Sequence, residues 1–254
     1  MKKLIALLLA VSLTTASVFA FDASFLKAAY VQPTATASFA AIKDDVYTKL
    51  DIVLLAFADT TSSSMNSDFS SAIKTIISKN PNAVYILSLG GENAKSSNFT
   101  QANVQTIISN ISSQITAFNS QMTSGKISGV DLDLENAIEE TVISELASGF
   151  KKLGYTVSVA PQVYTSGGDI TSSTKTLVLT SGWNSTTQSC PDTYMSAIKS
   201  GNVDYIMAQT YNSSGFKIGG YSENEVGFFE AVSVAFNNYP NIPISIFVVE
   251  GMFG

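Results

Sequence analysis

Three acidic residues spaced by two, Asp131, Asp133 and Glu135, lie in the stretch Ile127–Asn136, I-S-G-V-D-L-D-L-E-N. Alternate side chains of a strand share a face, so the three carboxylates line one side, and Val130, Leu132 and Leu134 the other. At the ~3.3 Å rise of a strand, neighbours in such a row sit ~7 Å apart. Like charges this close repel, and no ordinary core accepts them. A strand ending in a polar cleft does. There, repulsion and partial burial hold one carboxyl protonated near neutral pH, as a general acid requires. A hydrated loop or a calcium site fits the same spacing, because aspartates at alternate positions also serve oxygen-seeking cations.

Composition narrows the chemistry. All 14 basic residues are lysine; there is no arginine and no histidine. A Ser-His-Asp triad, a Cys-His pair and histidine-based zinc sites are therefore excluded. Cys190 is the single cysteine, so no internal disulfide forms, and no histidine activates it as a nucleophile. Catalysis must rest on carboxylates, tyrosines, amides and lysines. At the start, Lys2 and Lys3 precede an apolar run, Leu4–Val11, and then Val18-Phe19-Ala20. This pattern reads as an export signal over 1–20, cleaved after Ala20. The apolar run is short for a membrane span, though a retained N-terminal anchor is the competing reading. The expectation is a secreted chain, extracellular or periplasmic, with one domain over 21–254. Without Lys2 and Lys3, 12 lysines face 20 acidic residues, a net charge of −8. That charge argues against nucleic acid and anionic membranes as partners.

The elements that must position the acidic row repeat along the chain. Apolar runs occur at Phe25–Gln32, Asp51–Ala58, Ala83–Leu89, the acidic stretch itself, Tyr155–Pro161, Val203–Gln209 and Ile242–Val249. Near-continuous runs of this length suit parallel strands covered on both sides. Helical stripes lie between them: Phe69, Ile73, Ile76 and Ile77; Val104, Ile107, Ile111 and Ile115; Val142, Leu146 and Phe150; Tyr194, Met195 and Ile198; Val226, Phe229, Val232 and Phe236. The alternation predicts an α/β fold, a TIM (β/α)₈ barrel that stops after its seventh strand. The Ser/Thr/Gly-rich segment Val163–Gln188 interrupts the rhythm and reads as a partly β insertion walling a cleft. It holds the only tryptophan, Trp183, which either stacks on a sugar ring or packs the loop down.

Three stretches together resemble glycoside hydrolase family 18, the chitinases and their relatives. Ser88-Leu89-Gly90-Gly91 is similar to that family's S-x-G-G. Ser128–Glu135 is similar to its D-G-x-D-x-D-x-E, and Gln209-Thr210-Tyr211-Asn212 to the Q-x-Y-N of many bacterial members. Each follows or ends an apolar run, in the family's order, and the resemblance covers Phe25 to about Val249. It implies a secreted glycosidase that cuts β-1,4-linked N-acetylglucosamine polymers such as chitin by substrate-assisted retaining catalysis. Glu135 would protonate the leaving oxygen and later activate water. Asp133 would orient the acetamido N–H, and Asp131 would share a proton with Asp133. Tyr211 would donate to the acetamido oxygen, and Gln209 and Asn212 would hold substrate polar groups. Ser88 and Tyr30 would hydrogen-bond Asp131, while Gly90 and Gly91 would let backbone pass close to the cleft. Tyr30, Phe57 and Gln162 stand where they could touch sugar, although aromatics also favour burial. No metal or cofactor is implied, the partner is an N-acetylglucosamine-containing glycan, and a monomer is expected.

Two departures from the family pattern matter. Ser128 stands in place of the first aspartate of the signature, at a position expected to lie deepest in the barrel. The chain ends at Gly254, five residues after the seventh run, with no eighth strand or its tryptophan, so an open sheet is expected between the first and seventh strands. Other functions on the same pattern are an endo-β-N-acetylglucosaminidase acting on glycans or peptidoglycan, and a chitin-binding lectin or inactive fragment. Lectins of this kind typically lack the glutamate, and Glu135 is present.

Overall fold

The computed structural model describes residues 26–33, 47–165, 177–182, 184–187, 189–211, 217–218, 221–222 and 245–249. Its strands are β1 (Ala28–Val31), β2 (Ile52–Leu55), β3 (Val84–Gly90), β4 (Ile127–Asp133), β5 (Thr156–Val159), β6 (Gln162–Thr165), β7 (Leu177–Thr180), β8 (Tyr205–Gln209), β9 (Lys217–Ile218), β10 (Tyr221–Ser222) and β11 (Ser245–Val249). The helices are α1 (Ser67–Lys79), α2 (Val104–Asn119), α3 (Glu140–Lys152) and the short α4 (Met195–Lys199). The stripe at Val226–Phe236 and residues 1–20 lie outside the described residues, as do Trp183 and Asn212.

All seven apolar runs of the sequence contain a parallel strand, in the order β1-β2-β3-β4-β5-β8-β11. Among the described residues, no strand joins β1 to β11. The Ser/Thr/Gly-rich segment contributes an antiparallel arm, β6 with β7, which meets β8 through Gln162 opposite Gln209.

Two apolar layers follow from strand alternation. Outward residues such as Val130, Leu132 and Val157 pack against the helix stripes Ile73, Ile76, Ile107, Ile111, Leu146 and Phe150. Inside the barrel, Ile52, Leu54, Ile86, Ala160 and Met207 form a small apolar cluster of their own. Beside this cluster the inward positions of β3, β4 and β5 turn polar at Ser88, Asp131 and Ser158. The helices are shaped locally as their sequences dictate. Asn66 caps α1 by accepting from the Asp68 and Phe69 backbone N–H groups at 2.9 and 3.2 Å. In α3, Glu140 sits in the first turn and Lys151 and Lys152 in the last, matching the helix dipole at both ends.

Ser128 is not deep in the barrel. It is exposed, and it is the extra residue where β4 slips against β3, since Tyr85 pairs Ile127 and Ile86 pairs Gly129. The bulge lies at the lower end of β4, away from the acidic tip, and sets the register above it.

Candidate active site

The acidic row is held by cross-strand register. Ser88 on β3, Asp131 on β4 and Ser158 on β5 lie side by side in the ladder. Ser88 Oγ donates to Asp131 Oδ2 at 2.7 Å, Ser158 Oγ donates to Oδ1 at 2.6 Å, and the Tyr30 hydroxyl of β1 donates to Oδ2 at 3.0 Å. Asp131 is fully buried. Burial raises its pKa, and the Ser158, Ser88 and Tyr30 hydroxyls partly oppose the rise. Ser158 is a site residue outside the motifs, although a polar residue at an inward position of an otherwise apolar run is a legible signal.

One layer up, Asp133 pairs with Gly90 across β3–β4 and is only 7% exposed. Its Oδ1 accepts from Gln209 Nε2 at 2.7 Å, and the same nitrogen donates to the Ala160 carbonyl at 3.0 Å. Gln209 therefore serves Asp133 from inside the protein. Burial, then the charges of Asp131 and Glu135, push the Asp133 pKa well above the usual carboxylate range, with Gln209 opposing. Each oxygen of Asp131 is occupied by hydroxyl donors and Asp133 turns to Gln209, so the two aspartates interact through charge.

Glu135 emerges at the mouth, half-buried. Its Oε2 accepts from Gln162 Nε2 at 2.8 Å. Burial raises its pKa, Gln162 opposes, and the charge of Glu92 adds to the rise. Burial and the charges of Asp133, Glu135 and Glu92 push the Tyr211 hydroxyl up to about 12, so it remains a proton donor at neutral pH. Directly after Glu135 the chain turns through Asn136 and Ala137 with φ of 66° and 58°. L-residues rarely hold such angles, and neighbouring groups fix them here. Asn136 Nδ2 donates to the Glu92 and Ala94 carbonyls at 3.1 and 3.2 Å, and Ala137 N–H to the Ser181 carbonyl at 3.0 Å.

The two glycines also serve the scaffold. Gly90 has φ +108°, and a Cβ there would stand 2.0 Å from the Asp133 carbonyl oxygen. Gly91 has φ +80°, and its missing Cβ makes room for the Phe57 ring, 2.5 Å from where that carbon would lie. Gly91 N–H also donates to the Asp133 carbonyl at 2.7 Å. The glycines thus allow the ends of β3 and β4 to meet. Tyr194, read from sequence as a helix residue, pins β4 from the outer side. Its buried hydroxyl accepts from Leu134 N–H at 2.9 Å and faces the Leu134 and Leu132 carbonyls at 2.8 and 3.1 Å.

These groups open into a cleft of about 1040 Å³, whose walls include Tyr30, Phe57, Glu92, Gln162, Gln209 and Tyr211 beside Asp133 and Glu135. The volume suits several sugar units. Among the described residues, no three acidic or cysteine side chains converge as metal ligands.

The burial of these carboxylates has a stability consequence. Folded Asp133 holds its proton to higher pH than the unfolded chain does, because burial and the charges of Asp131 and Glu135 disfavour its ionised form. Its contribution to stability is complete below the unfolded-state value and is lost as the pH rises through the folded-state value; Asp131 and Glu135 act in the same sense. Asp133→Asn should therefore melt higher than the wild type at pH 7 and show a flatter dependence on pH. Each kcal/mol regained corresponds to ~2–4 °C in Tm for a domain of this size. A lower Tm for Asp133→Asn at pH 7 would contradict this account.

Compared by sequence, the chain matches no protein-family model and no curated protein. Its fold does match solved structures. A GH18 chitinase from Pseudoalteromonas aurantia aligns with a TM-score of 0.56 at 15% identity, over 88% of this chain and 79% of that one. A GH18 chitinase from Flavobacterium johnsoniae gives 0.56 at 20% identity, over 85% and 64%. A GH18 chitinase from Cycas revoluta, solved in complex with allosamidin, gives 0.52 at 13% identity, over 74% and 56%. This chain spans between 56% and 79% of the lengths of those proteins. The fold is the TIM barrel of GH18 chitinases.

Proposed function

We propose that this protein is a glycoside hydrolase of the GH18 type that cleaves β-1,4-linked N-acetylglucosamine polymers, with the substrate's own acetamido oxygen as nucleophile. The observation that carries this reading is the unequal setting of the three carboxylates. Glu135 stands furthest out at the cleft mouth, the least buried of the three, with a raised pKa fit to donate a proton. Asp131 is sealed among three hydroxyls, and Asp133 is buried against Gln209. Neither is placed as a free anionic nucleophile, so the attacking atom must come from the substrate. An N-acetyl group beside the bond to be cut provides one.

In this scheme Glu135 protonates the leaving oxygen while the acetamido oxygen closes on the anomeric carbon. Asp133 takes the acetamido N–H and balances the positive charge that forms. Tyr211, still protonated, donates to the acetamido oxygen and aligns it. Phe57 and Tyr30 wall the sugar. Asn212 and Trp183 belong to the same proposal as substrate contacts. The bound allosamidin of the Cycas revoluta chitinase supports a cleft of this class as a binder of acetamido sugars. Export directed by residues 1–20 is part of the same reading, because a polymer of this size must be cut outside the cell; the protein would act there as a monomer. The test is the release of reducing ends from chitin oligomers, with initial products read by NMR. β-Anomers should appear first, since the configuration is retained. Absence of cleavage of every β-linked N-acetylglucosaminyl substrate, or initial α-anomers, would overturn the proposal.

A further inference from the structure

Gln162 and Gln209 stand opposite each other on β6 and β8. Each sends its amide nitrogen to a different carboxylate of the acidic row. Gln162 Nε2 reaches Glu135 Oε2 at 2.8 Å, and Gln209 Nε2 reaches Asp133 Oδ1 at 2.7 Å. The arm β6–β7 therefore does more than wall the cleft: it delivers one partner to the acid at its mouth. We propose that Gln162 is a positioning residue for Glu135, which holds Oε2 as an acceptor and so leaves Oε1 as the oxygen that carries the transferable proton. This rests on the reading of Glu135 as general acid.

The chemistry of a carboxyl group supports the assignment. A protonated carboxyl has one O–H and one oxygen that only accepts. The N–H of Gln162 faces Oε2, so a proton there would meet another hydrogen, and the acid's O–H must lie on Oε1. As the Oε1–H bond breaks, the proton passes to the glycosidic oxygen, the C1–O bond opens, and the acetamido oxygen bonds to C1. The carboxylate left behind already has a donor aimed at it, and that bond strengthens as charge develops. In the second half, water bonds to C1, the acetamido oxygen leaves, and the water's proton returns to Oε1. A neutral amide suits this cycle better than a lysine would, because a cation would strip the proton from Glu135 at neutral pH. The other ionisable groups around Glu135 are Asp133 and the deeper Asp131 on its own strand, Glu92 after β3, Tyr194 below and Tyr211 after β8, with Lys95 and Asp59 also on the cleft wall.

The test is Gln162→Leu, with Gln162→Met as a second variant of similar length. Loss of a hydrogen bond to a charged acceptor should raise the Glu135 pKa by about one pH unit. The alkaline limb of kcat/KM should move up by the same amount, and kcat should fall about tenfold as orientation loosens. KM for chitin oligomers should stay within about twofold of wild type, because the residue acts through Glu135 and not on the sugar. Independently of turnover, carbon-13 NMR titration of the Glu135 carboxyl, identified by its loss in Glu135→Gln, should show the same upward shift. A raised KM with an unmoved alkaline limb would make Gln162 a sugar contact and overturn the proposal. An unmoved carboxyl titration in either folded variant would overturn it as well. Should the wild type cut no acetamido sugar, the functional reading fails, while the titration still decides what Gln162 does to Glu135.

Discussion

Glu135→Gln is expected to lower turnover by ~10²–10⁴-fold while leaving the fold intact. The glutamate is half-buried at the end of β4, and the strand beneath it is fixed without its help. Tyr194 grips the Leu132–Leu134 backbone from outside, and the Gly91 N–H grips the Asp133 carbonyl from β3. A glutamine of the same shape therefore fits the site. It can still meet Gln162 through its own carbonyl oxygen, but it has no proton to give to a leaving sugar. Thermal melting of the variant at pH 7 should match or slightly exceed the wild type, in the same sense as Asp133→Asn but by less, since the removed group is the least buried of the three acids. The decisive measurement is single-turnover hydrolysis of a chitin oligomer alongside a melt. A Glu135→Gln protein that hydrolyses at the wild-type rate would remove Glu135 from the mechanism, and with it the functional proposal.

The second large effect concerns the substrate. If the acetamido oxygen is the nucleophile, a fully deacetylated oligomer has nothing to attack with, because an ammonium group replaces the amide. Neighbouring groups in good alignment act at effective molarities of ~10⁵ M or more, so the rate should fall by at least that order. The protein offers no substitute, since Asp131 accepts from Tyr30, Ser88 and Ser158, and Asp133 lies buried against Gln209. A thiazoline analogue of the cyclic intermediate should inhibit strongly, as it resembles the charged species the site is built to hold. Comparable initial rates on acetylated and deacetylated oligomers would sink the substrate-assisted mechanism while leaving Glu135 available for another one.

Much of this protein is written in local periodicity. The period of two in β4 decides which residues face inward, because a pleated strand offers its side chains no other choice. Apolar stripes at helical spacing mark α1, α2 and α3 for the same reason, since each helix must bury one face. The lack of histidine and arginine confines the chemistry to carboxylates, amides and hydroxyls before any contact is known. The order of S-x-G-G, D-x-D-x-E and Q-x-Y is also legible, as each sits at the end of an apolar run.

What the sequence by itself could not determine is which residues meet across strands. Ser88, Asp131 and Ser158 are far apart in the chain and become neighbours only through the ladder register. That register depends on the bulge at Ser128, a residue that reads from sequence as deep and proves to be exposed. Gln162 reads from sequence as a candidate sugar contact, and only the β6–β7 arm reveals that its amide also meets Glu135. Tyr194 read as one more apolar residue of a helix, because nothing local tells a tyrosine which backbone its hydroxyl will find. Gly90 and Gly91 read as letting backbone pass close to the cleft, and only packing shows that they also bring β3 against β4 and seat Phe57. Pattern along a chain specifies which side of an element is buried; the partner on that side comes from another element, and hydrogen-bond register and close packing select it only when the sheet assembles.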